Sequence, residues 1–288
     1  MPMAAYDMEI ATVQCLATCQ KEEKENCVAV NFNIKNATCQ LLSQQPKYMS
    51  DGKIVHDDQW RLYTEKPIQL PRDCADITHP VWNRYYEIQP SLEKPPFSVL
   101  CLKTEYAYTV IQFRGQQIKF KFQTATWADY RKGFKGDPPT GNDYWKDKKS
   151  YYWMGNENIH TLTNSRDYKI KFYLKKNGWS YPIFDKFSIG NEGDHFRLNG
   201  NGSGLFDEWH IGTAQQINGT KFMTFENGTE NSCADEGGWW YNNQNNCPYG
   251  NLNTAKGRMY WGNTKHLLST MMVVYYEPIE RERPVTGS

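Results

Sequence analysis

The sequence lacks a surplus of charge of either sign. Its 33 Lys and Arg residues are balanced by 32 Asp and Glu residues, which gives a formal net charge of +1. A protein that binds nucleic acid needs a clustered basic surplus. The composition therefore argues against nucleic acid as a partner.

Long apolar runs are also missing. The mean hydropathy is −0.78, and the stretch LLSTMMVVYY near the end is too short and too interrupted to span a bilayer. We interpret this stretch as one or two buried strands. The first residues, MPMAAYDMEIATV, lack the basic and apolar regions of a signal peptide. The number and grouping of the cysteines are better evidence for secretion than this segment.

Signatures of catalysis and of zinc binding are absent from the sequence. It contains no HExxH, GxSxG or P-loop pattern, and no CxxC pair. The segment GNGSG at 200–204 lacks the lysine of a phosphate loop, so we predict a turn there. We predict that the protein is not an enzyme and that His160 is structural. The six histidines are scattered: His56, His79, His160, His195, His210 and His266.

What the sequence does contain is eight cysteines in three local groups. An even number of grouped cysteines predicts disulfides and an oxidising compartment. The first four permit three pairings, so the pairing given for them is one choice among those. The predicted bonds are Cys15–Cys39, Cys19–Cys27, Cys74–Cys101 and Cys233–Cys247.

Four Asn-x-Ser/Thr sequons support the same compartment and predict a secreted glycoprotein. The acceptor residues are Asn36, Asn201, Asn218 and Asn227.

Residues 1–65 form the first predicted domain. The segment TVQCLATCQKEEKENC has helical spacing, and VAVNFNI, ATCQLLS and QWRLYTE have the character of strands in one small sheet. The stretch CLATCQKEEKENCVAVNFNIKNATCQLL resembles a PAN/apple domain. This resemblance implies a helix, fixed by disulfides, over an antiparallel sheet.

A linker is predicted at 66–73, a second domain at 74–280 and a tail at 281–288. The segments TVIQFR, WADYRKGF, YYWMGNENIHTLT, FSIGNEGDHFRL and GGWWYNN stand in the order seen in fibrinogen-related C-terminal domains. The similarity covers roughly residues 72–278. It implies an α+β fold, with a twisted antiparallel sheet, short helices and a loop-rich subdomain that faces the ligand.

The GGWW stretch is predicted to be structural. Gly237 and Gly238 permit close backbone approach, so that Trp239 and Trp240 are buried beneath the loops; the alternative is that one indole edge lines a pocket. In lectins of the family the peptide bond before the second cysteine is cis and helps to hold an acetyl group. By resemblance, we predict a cis bond between residues 246 and 247.

The pocket region departs from the family pattern. Only two residues separate CA from GGWW, NNQNN is inserted before Cys247, and Pro248 stands where the family often has histidine. The pocket is therefore rebuilt. Aromatic rings stack on sugars, although each candidate is alternatively a packing residue. The candidate ligand-binding residues are Tyr241, Asn246, Cys247, Tyr249, Tyr260, Trp261 and His266.

A degenerate calcium loop is predicted in TFENGTENSC, where calcium needs six to eight oxygen ligands. The candidate ligands are Glu226, Asn227, Gly228 and Glu230.

Two functions fit these observations. The first is a secreted lectin of the innate-immunity type that binds glycans or acetylated ligands. The alternative is an extracellular matrix, adhesion or protein-binding module with a remodelled pocket. Either partner is extracellular, and a homo-oligomer would provide avidity.

Overall fold

The computed structural model describes residues 14–15, 29–36, 38–42, 60–64, 70–77, 82–136, 149–201, 217–226, 232–241, 250–255 and 257–277. The chain divides into two compact units, residues 1–71 with 77–80 and residues 72–76 with 81–288. The predicted tail at 281–288 lies outside the described residues. No helix in the described ranges is long and apolar enough to cross a membrane.

The first unit contains a three-stranded antiparallel sheet in the order β2-β1-β3. Alternation in VAVNFNI gives β1 a buried face, on which Val30 and Phe32 are each 1% exposed. All three strands lie in the segments that the sequence predicts. Their bounds are β1 (Ala29–Asn33), β2 (Thr38–Leu42) and β3 (Trp60–Thr64).

A disulfide joins Cys15 to Cys39 in this unit, as predicted. Gln14 and Cys15 have helical backbone conformation. The rest of the predicted helix and the Cys19–Cys27 pair lie outside the described residues.

In its described residues, the second unit is built mainly from antiparallel strands, with two short α-helices. The helices are α1 (Trp127–Lys132) and α2 (Asn156–Thr163). The strands are β4 (Arg84–Ile88), β5 (Phe97–Lys103), β6 (Ala107–Arg114), β7 (Phe134–Lys135), β8 (Tyr151–Trp153), β9 (Lys169–Lys175), β10 (Trp179–Ser180), β11 (Ile183–Phe184), β12 (Lys186–Ile189), β13 (Leu198–Asn201), β14 (Lys221–Met223), β15 (Trp239–Tyr241), β16 (Gly250–Asn251), β17 (Tyr260–Trp261), β18 (Thr264–Lys265) and β19 (Ser269–Tyr275). This composition is α+β, which confirms the predicted class.

The central sheet has the order β10-β9-β19-β6-β5-β4, and β7, β8 and β11 pair off this path. Strand β19 lies between β9 and β6, with a register shift between Met272 and Val273. Every residue of β19 is buried, so the prediction of a buried strand in LLSTMMVVYY is confirmed. The last described strand therefore completes the middle of the sheet.

Helix α1 begins with a capping box formed by Thr126 and Asp129. The N–H of Asp129 donates to Oγ1 of Thr126 at 3.1 Å, and the N–H of Thr126 donates to Oδ2 of Asp129 at 2.9 Å. The helix ends at Gly133, whose φ is +92°. Cys74 and Cys101 form the predicted disulfide of this unit.

Candidate functional site

The GGWW segment lies against neighbouring loops so closely that only glycine fits at its first two positions. Gly237 has a φ of +132°, and a Cβ built there would overlap the carbonyl oxygen of Asn253. A Cβ on Gly238 would overlap the ring of Tyr130. These contacts explain the glycine pair by close approach, together with one positive φ.

Trp239 and Trp240 are fully buried. The indole N–H of Trp240 donates to the carbonyl of Phe196 at 2.9 Å, and its ring contacts those of Phe222 and Trp153 at 5.3 and 6.1 Å. Burying roughly 200 Å² on each indole contributes about 5 kcal/mol before entropy is subtracted. The structural interpretation of both tryptophans is confirmed.

The NLN segment ties the β15 strand to the loops beside it. Nδ2 of Asn253 donates to the carbonyl of Gly238 at 2.9 Å, and Nδ2 of Asn251 donates to the Tyr241 hydroxyl at 2.7 Å. That hydroxyl in turn donates to the carbonyl of Gly237. These residues are buried and form one hydrogen-bonded network, which holds two irregular segments in fixed register.

Arg114, at the end of β6, supports the same loop from below. Its Nη1 donates to the carbonyls of Leu252 and Thr254 at 3.0 and 2.6 Å, and its Cζ lies 4.7 Å from the ring centre of Phe122. Burial lowers the pKa of Arg114 to about 10. Sequence reasoning did not single out this residue. The available signal was a charged side chain ending the otherwise apolar strand TVIQFR.

The short β17–β18 hairpin carries the remaining described candidates. Tyr260 pairs with Lys265 across the hairpin, and the ammonium of Lys265 lies 4.4 Å from the ring centre of Tyr260. Burial, followed by the charge of Glu236, raises the pKa of the Tyr260 hydroxyl. Trp261 points the other way, and its ring centre lies 4.4 Å from that of Phe172 in β9.

The structure places the predicted aromatic ligand contacts mostly in the core. Trp261 is 0% exposed, Tyr241 is 1% and Tyr260 is 8%. Trp261 and Tyr241 therefore shape the loops from beneath and have no exposed ring face for a sugar. His266 is exposed, and its Nδ1 lies 2.8 Å from the carbonyl oxygen of Gly257.

Three further candidates, Asn246, Cys247 and Tyr249, lie outside the described residues, and so does the predicted cis bond. Cys233 is buried and disulfide-bonded. Because Cys247 lies outside the described residues, the pairing of Cys233 with Cys247 stays a prediction.

The predicted calcium ligands are described only at Glu226. Its Oε2 accepts a hydrogen bond from the backbone N–H of Trp127 at 2.5 Å. The described ranges hold no cluster of three or more His, Cys, Asp or Glu residues arranged for a metal ion. Asn227, Gly228 and Glu230 lie outside the described residues. Calcium binding therefore stays a prediction, which calorimetric titration of chelator-treated protein tests.

Two of the predicted glycosylation acceptors lie in exposed turns. The Asn36 amide oxygen accepts from the N–H and hydroxyl of Thr38, at 3.2 and 2.7 Å. The Asn218 amide oxygen accepts from the N–H of Gly200 at 2.9 Å. All three bonds use the amide oxygen and not the amide nitrogen, which is the atom that carries a glycan. The side chain of Asn201 and all of Asn227 lie outside the described residues.

Comparison with family models divides the chain in two. Residues 5–66 match the PAN domain, and residues 70–280 match the C-terminal globular domain of fibrinogen beta and gamma chains.

Several curated proteins are similar in sequence. Angiopoietin-1 of Rattus norvegicus is 31% identical over 303 residues, which cover 88% of this chain and 56% of that protein. The fibrinogen gamma chain of Petromyzon marinus is 32% identical over 198 residues, which cover 62% of this chain and 42% of that protein. The chain thus spans about half the length of the curated relatives it matches.

Solved structures show the same fold. The fibrinogen-like globe domain of human ANGPTL6 aligns with a TM-score of 0.55 and 27% identity, over 74% of this chain and 99% of that one. A lamprey fibrin D-dimer, complexed with the peptide Gly-His-Arg-Pro-amide, aligns with a TM-score of 0.59 and 21% identity, over 98% of this chain and 91% of that one. The second similarity concerns the fold alone.

Proposed function

Because this chain belongs to the family of C-terminal globular domains of fibrinogen beta and gamma chains, preceded by a PAN domain, we propose that it is an extracellular protein that binds another protein. The binding surface is the loop face formed by the exposed side chains of residues 257–268. In this proposal the protein binds its partner and catalyses no reaction.

The disulfides support the extracellular part of the proposal. Bonds join Cys15 to Cys39 and Cys74 to Cys101, and Cys233 is also bonded. Such bonds persist in oxidising compartments and are rare in the cytosol. Angiopoietin and fibrinogen chains among its relatives point the same way.

Glycosylation tests the compartment directly. We expect the protein, expressed in animal cells behind a heterologous leader, to carry glycans at Asn36 and Asn218. Removal by an amidase that cleaves N-glycans should lower its mass, and Asn36→Gln and Asn218→Gln should each remove one glycan. An unglycosylated secreted product would contradict the assignment of these sites.

The observation that carries the ligand class is the contrast between a buried aromatic layer and an exposed charged rim. Tyr241 and Trp261 are buried, whereas Arg258 and Lys265 are exposed. Sugar recognition of the expected kind needs exposed ring faces, and the described loop face has none. A rigid surface with exposed cations and an apolar side chain suits a protein partner better.

The exposed apolar side chain on this face is Leu268, which is 38% exposed. We expect the double variant Lys265→Glu/Leu268→Asp to lose at least tenfold in affinity for the cell-surface or matrix protein that the wild-type protein captures by cross-linking. The matched control is the double variant Leu92→Asp/Lys94→Glu, which makes the same kinds of substitution in an exposed turn. This control should keep the affinity of the wild-type protein.

The lectin alternative is separated by a glycan array and an acetylated resin. Array binding that the loop variant abolishes, with no captured protein, would favour the lectin and overturn the protein-ligand proposal. Equal protein capture by the loop variant and wild type would move the binding surface elsewhere. Lectin activity, an innate-immunity role and homo-oligomerisation stay predictions.

A further inference from the structure

Arg114 is a buried cation that has no carboxylate partner in the part of the protein the structure describes. The residue is 1% exposed. Its hydrogen bonds run from Nη1 to the carbonyls of Leu252 and Thr254. Within the described ranges, the donors on Nε and Nη2 have no acceptor. An arginine buried to this extent normally pairs with an anion.

Arg114 lines a cavity of about 120 Å³. This volume is several times the share that one water molecule takes up in the liquid, about 30 Å³, so a small organic group fits. Besides Arg114, the wall contains four apolar side chains, together with Gln116 and two glycines, Gly115 and Gly257. The apolar residues are Ile118, Met259, Leu267 and Leu268.

The chemistry of this wall selects one kind of group. Nε and Nη2 of an arginine form a planar pair of donors that matches the two oxygens of a carboxylate. The apolar side chains favour an aliphatic stem behind that carboxylate. Arg258 is exposed and adjoins the lining residue Gly257 in the sequence, so the local charge also favours an anion.

We propose that this cavity binds a carboxylate on a short aliphatic stem, with Nε and Nη2 of Arg114 donating to its oxygens. The carboxylate belongs either to a small free acid or to an acidic side chain of a protein ligand. The inference goes beyond the proposed function, because a free acid would bind whether or not the loop face has a protein partner.

Propionate is the first probe, used with the full-length protein at constant ionic strength. We expect one arginine Nε–H signal in a nitrogen-correlated NMR spectrum to shift saturably, with a dissociation constant on the order of millimolar for so small a ligand. Propionamide and chloride at matched concentration should leave that signal in place. Equal shifts with all three additives, or none with propionate, would overturn the proposal.

Variants assign the effect to the cavity without removing the bonds that Arg114 makes. Ile118→Phe should fill the space and raise the propionate dissociation constant at least tenfold. Leu92→Phe makes the same kind of change on a residue that is 76% exposed and should leave it unchanged. If Ile118→Phe does not fold, Leu268→Trp tests the cavity from its partly exposed side. Unchanged propionate binding in a folded filling variant refutes the site.

Two peptides distinguish the sources of the carboxylate. One is a glutamate-containing tripeptide blocked at both ends, and the other has glutamine in its place. Tighter binding of the glutamate peptide than of propionate identifies a protein-borne carboxylate, and binding of propionate alone identifies a free acid. Binding of the glutamine peptide equal to that of the glutamate peptide would contradict the role of Arg114. None of these measurements depends on the partner captured by the loop face.

Discussion

Replacing Gly237 with alanine should lower the stability of the fibrinogen-like domain by two additive effects. The φ of +132° at this position costs a residue with a side chain about 1–3 kcal/mol. The new Cβ also overlaps the carbonyl oxygen of Asn253. That residue cannot retreat freely, because it is hydrogen-bonded to both Gly238 and Asn251. Overpacking of this kind adds about 1–3 kcal/mol.

The sum is about 4 kcal/mol, which urea denaturation measures well. With a urea dependence of about 3 kcal/mol per molar for a domain of this size, the midpoint should fall by about 1 M or more. Tryptophan fluorescence is a suitable signal, since Trp239 and Trp240 adjoin the substituted position and are fully buried. If the slope of the unfolding free energy against urea concentration is the same in variant and wild type, the shift in midpoint reports a change in stability alone.

Two other glycines separate the two effects. Gly219 has a φ of +74° but no atom within 4 Å of the Cβ that alanine would add, so Gly219→Ala reports the backbone strain alone. Gly178 has no atom within 4 Å of such a Cβ either, and no positive φ, so Gly178→Ala should be close to neutral. A cost at Gly237 no greater than that at Gly219 would refute the close approach to the Asn253 carbonyl.

Three further changes test other parts of the domain. Alanine at both Cys74 and Cys101 removes a bond between cysteines 27 residues apart, and loop-closure entropy gives a loss of about 3.5 kcal/mol by urea titration. Tyr241→Phe should cost about 1–3 kcal/mol by the same titration, because its buried hydroxyl both donates and accepts a hydrogen bond. The hydrogen bond from the indole N–H of Trp127 lowers the pKa of Glu192. The ionised carboxylate therefore stabilises the folded protein at pH values above the ordinary pKa of glutamate. This stabilisation is lost as the pH falls through the lowered pKa of the folded state. Glu192→Gln should therefore flatten the fall in melting temperature below about pH 4.3.

The changes at Tyr241 and Glu192 each have a matched control. Tyr181→Phe alters a ring that is 43% exposed and should change stability by less than about 0.5 kcal/mol. Glu93→Gln, in an exposed turn, should leave the pH dependence as in wild type. A loss in Tyr181→Phe equal to that in Tyr241→Phe would contradict the hydroxyl network. An acid response in Glu192→Gln identical to that of wild type would contradict the indole contact.

Local patterns predicted much of the fold because their determinants lie close together in the sequence. Alternation in VAVNFNI marks β1. The bonds Cys15–Cys39 and Cys74–Cys101 each join two cysteines of one local group, 24 and 27 residues apart. Such short-range relations survive without knowledge of the tertiary structure.

The candidate site was predicted less well, because burial depends on contacts between residues that are distant in the sequence. The sequence marks Trp261 and Tyr241 as aromatics in a loop-rich region, but not that Trp261 packs on Phe172 of β9 or that Tyr241 is held by Asn251. Arg114 reaches the carbonyls of residues 138 and 140 positions further along. No local pattern predicts that contact.

The sequence by itself thus determined the domain families and the α+β class. Only the tertiary structure decided which aromatics are buried, which cations form the exposed rim and which buried arginine has no carboxylate partner among the described residues. The physical reason is that burial and charge pairing are properties of a three-dimensional neighbourhood. In this domain the last strand, β19, assembles that neighbourhood by pairing in the middle of the sheet.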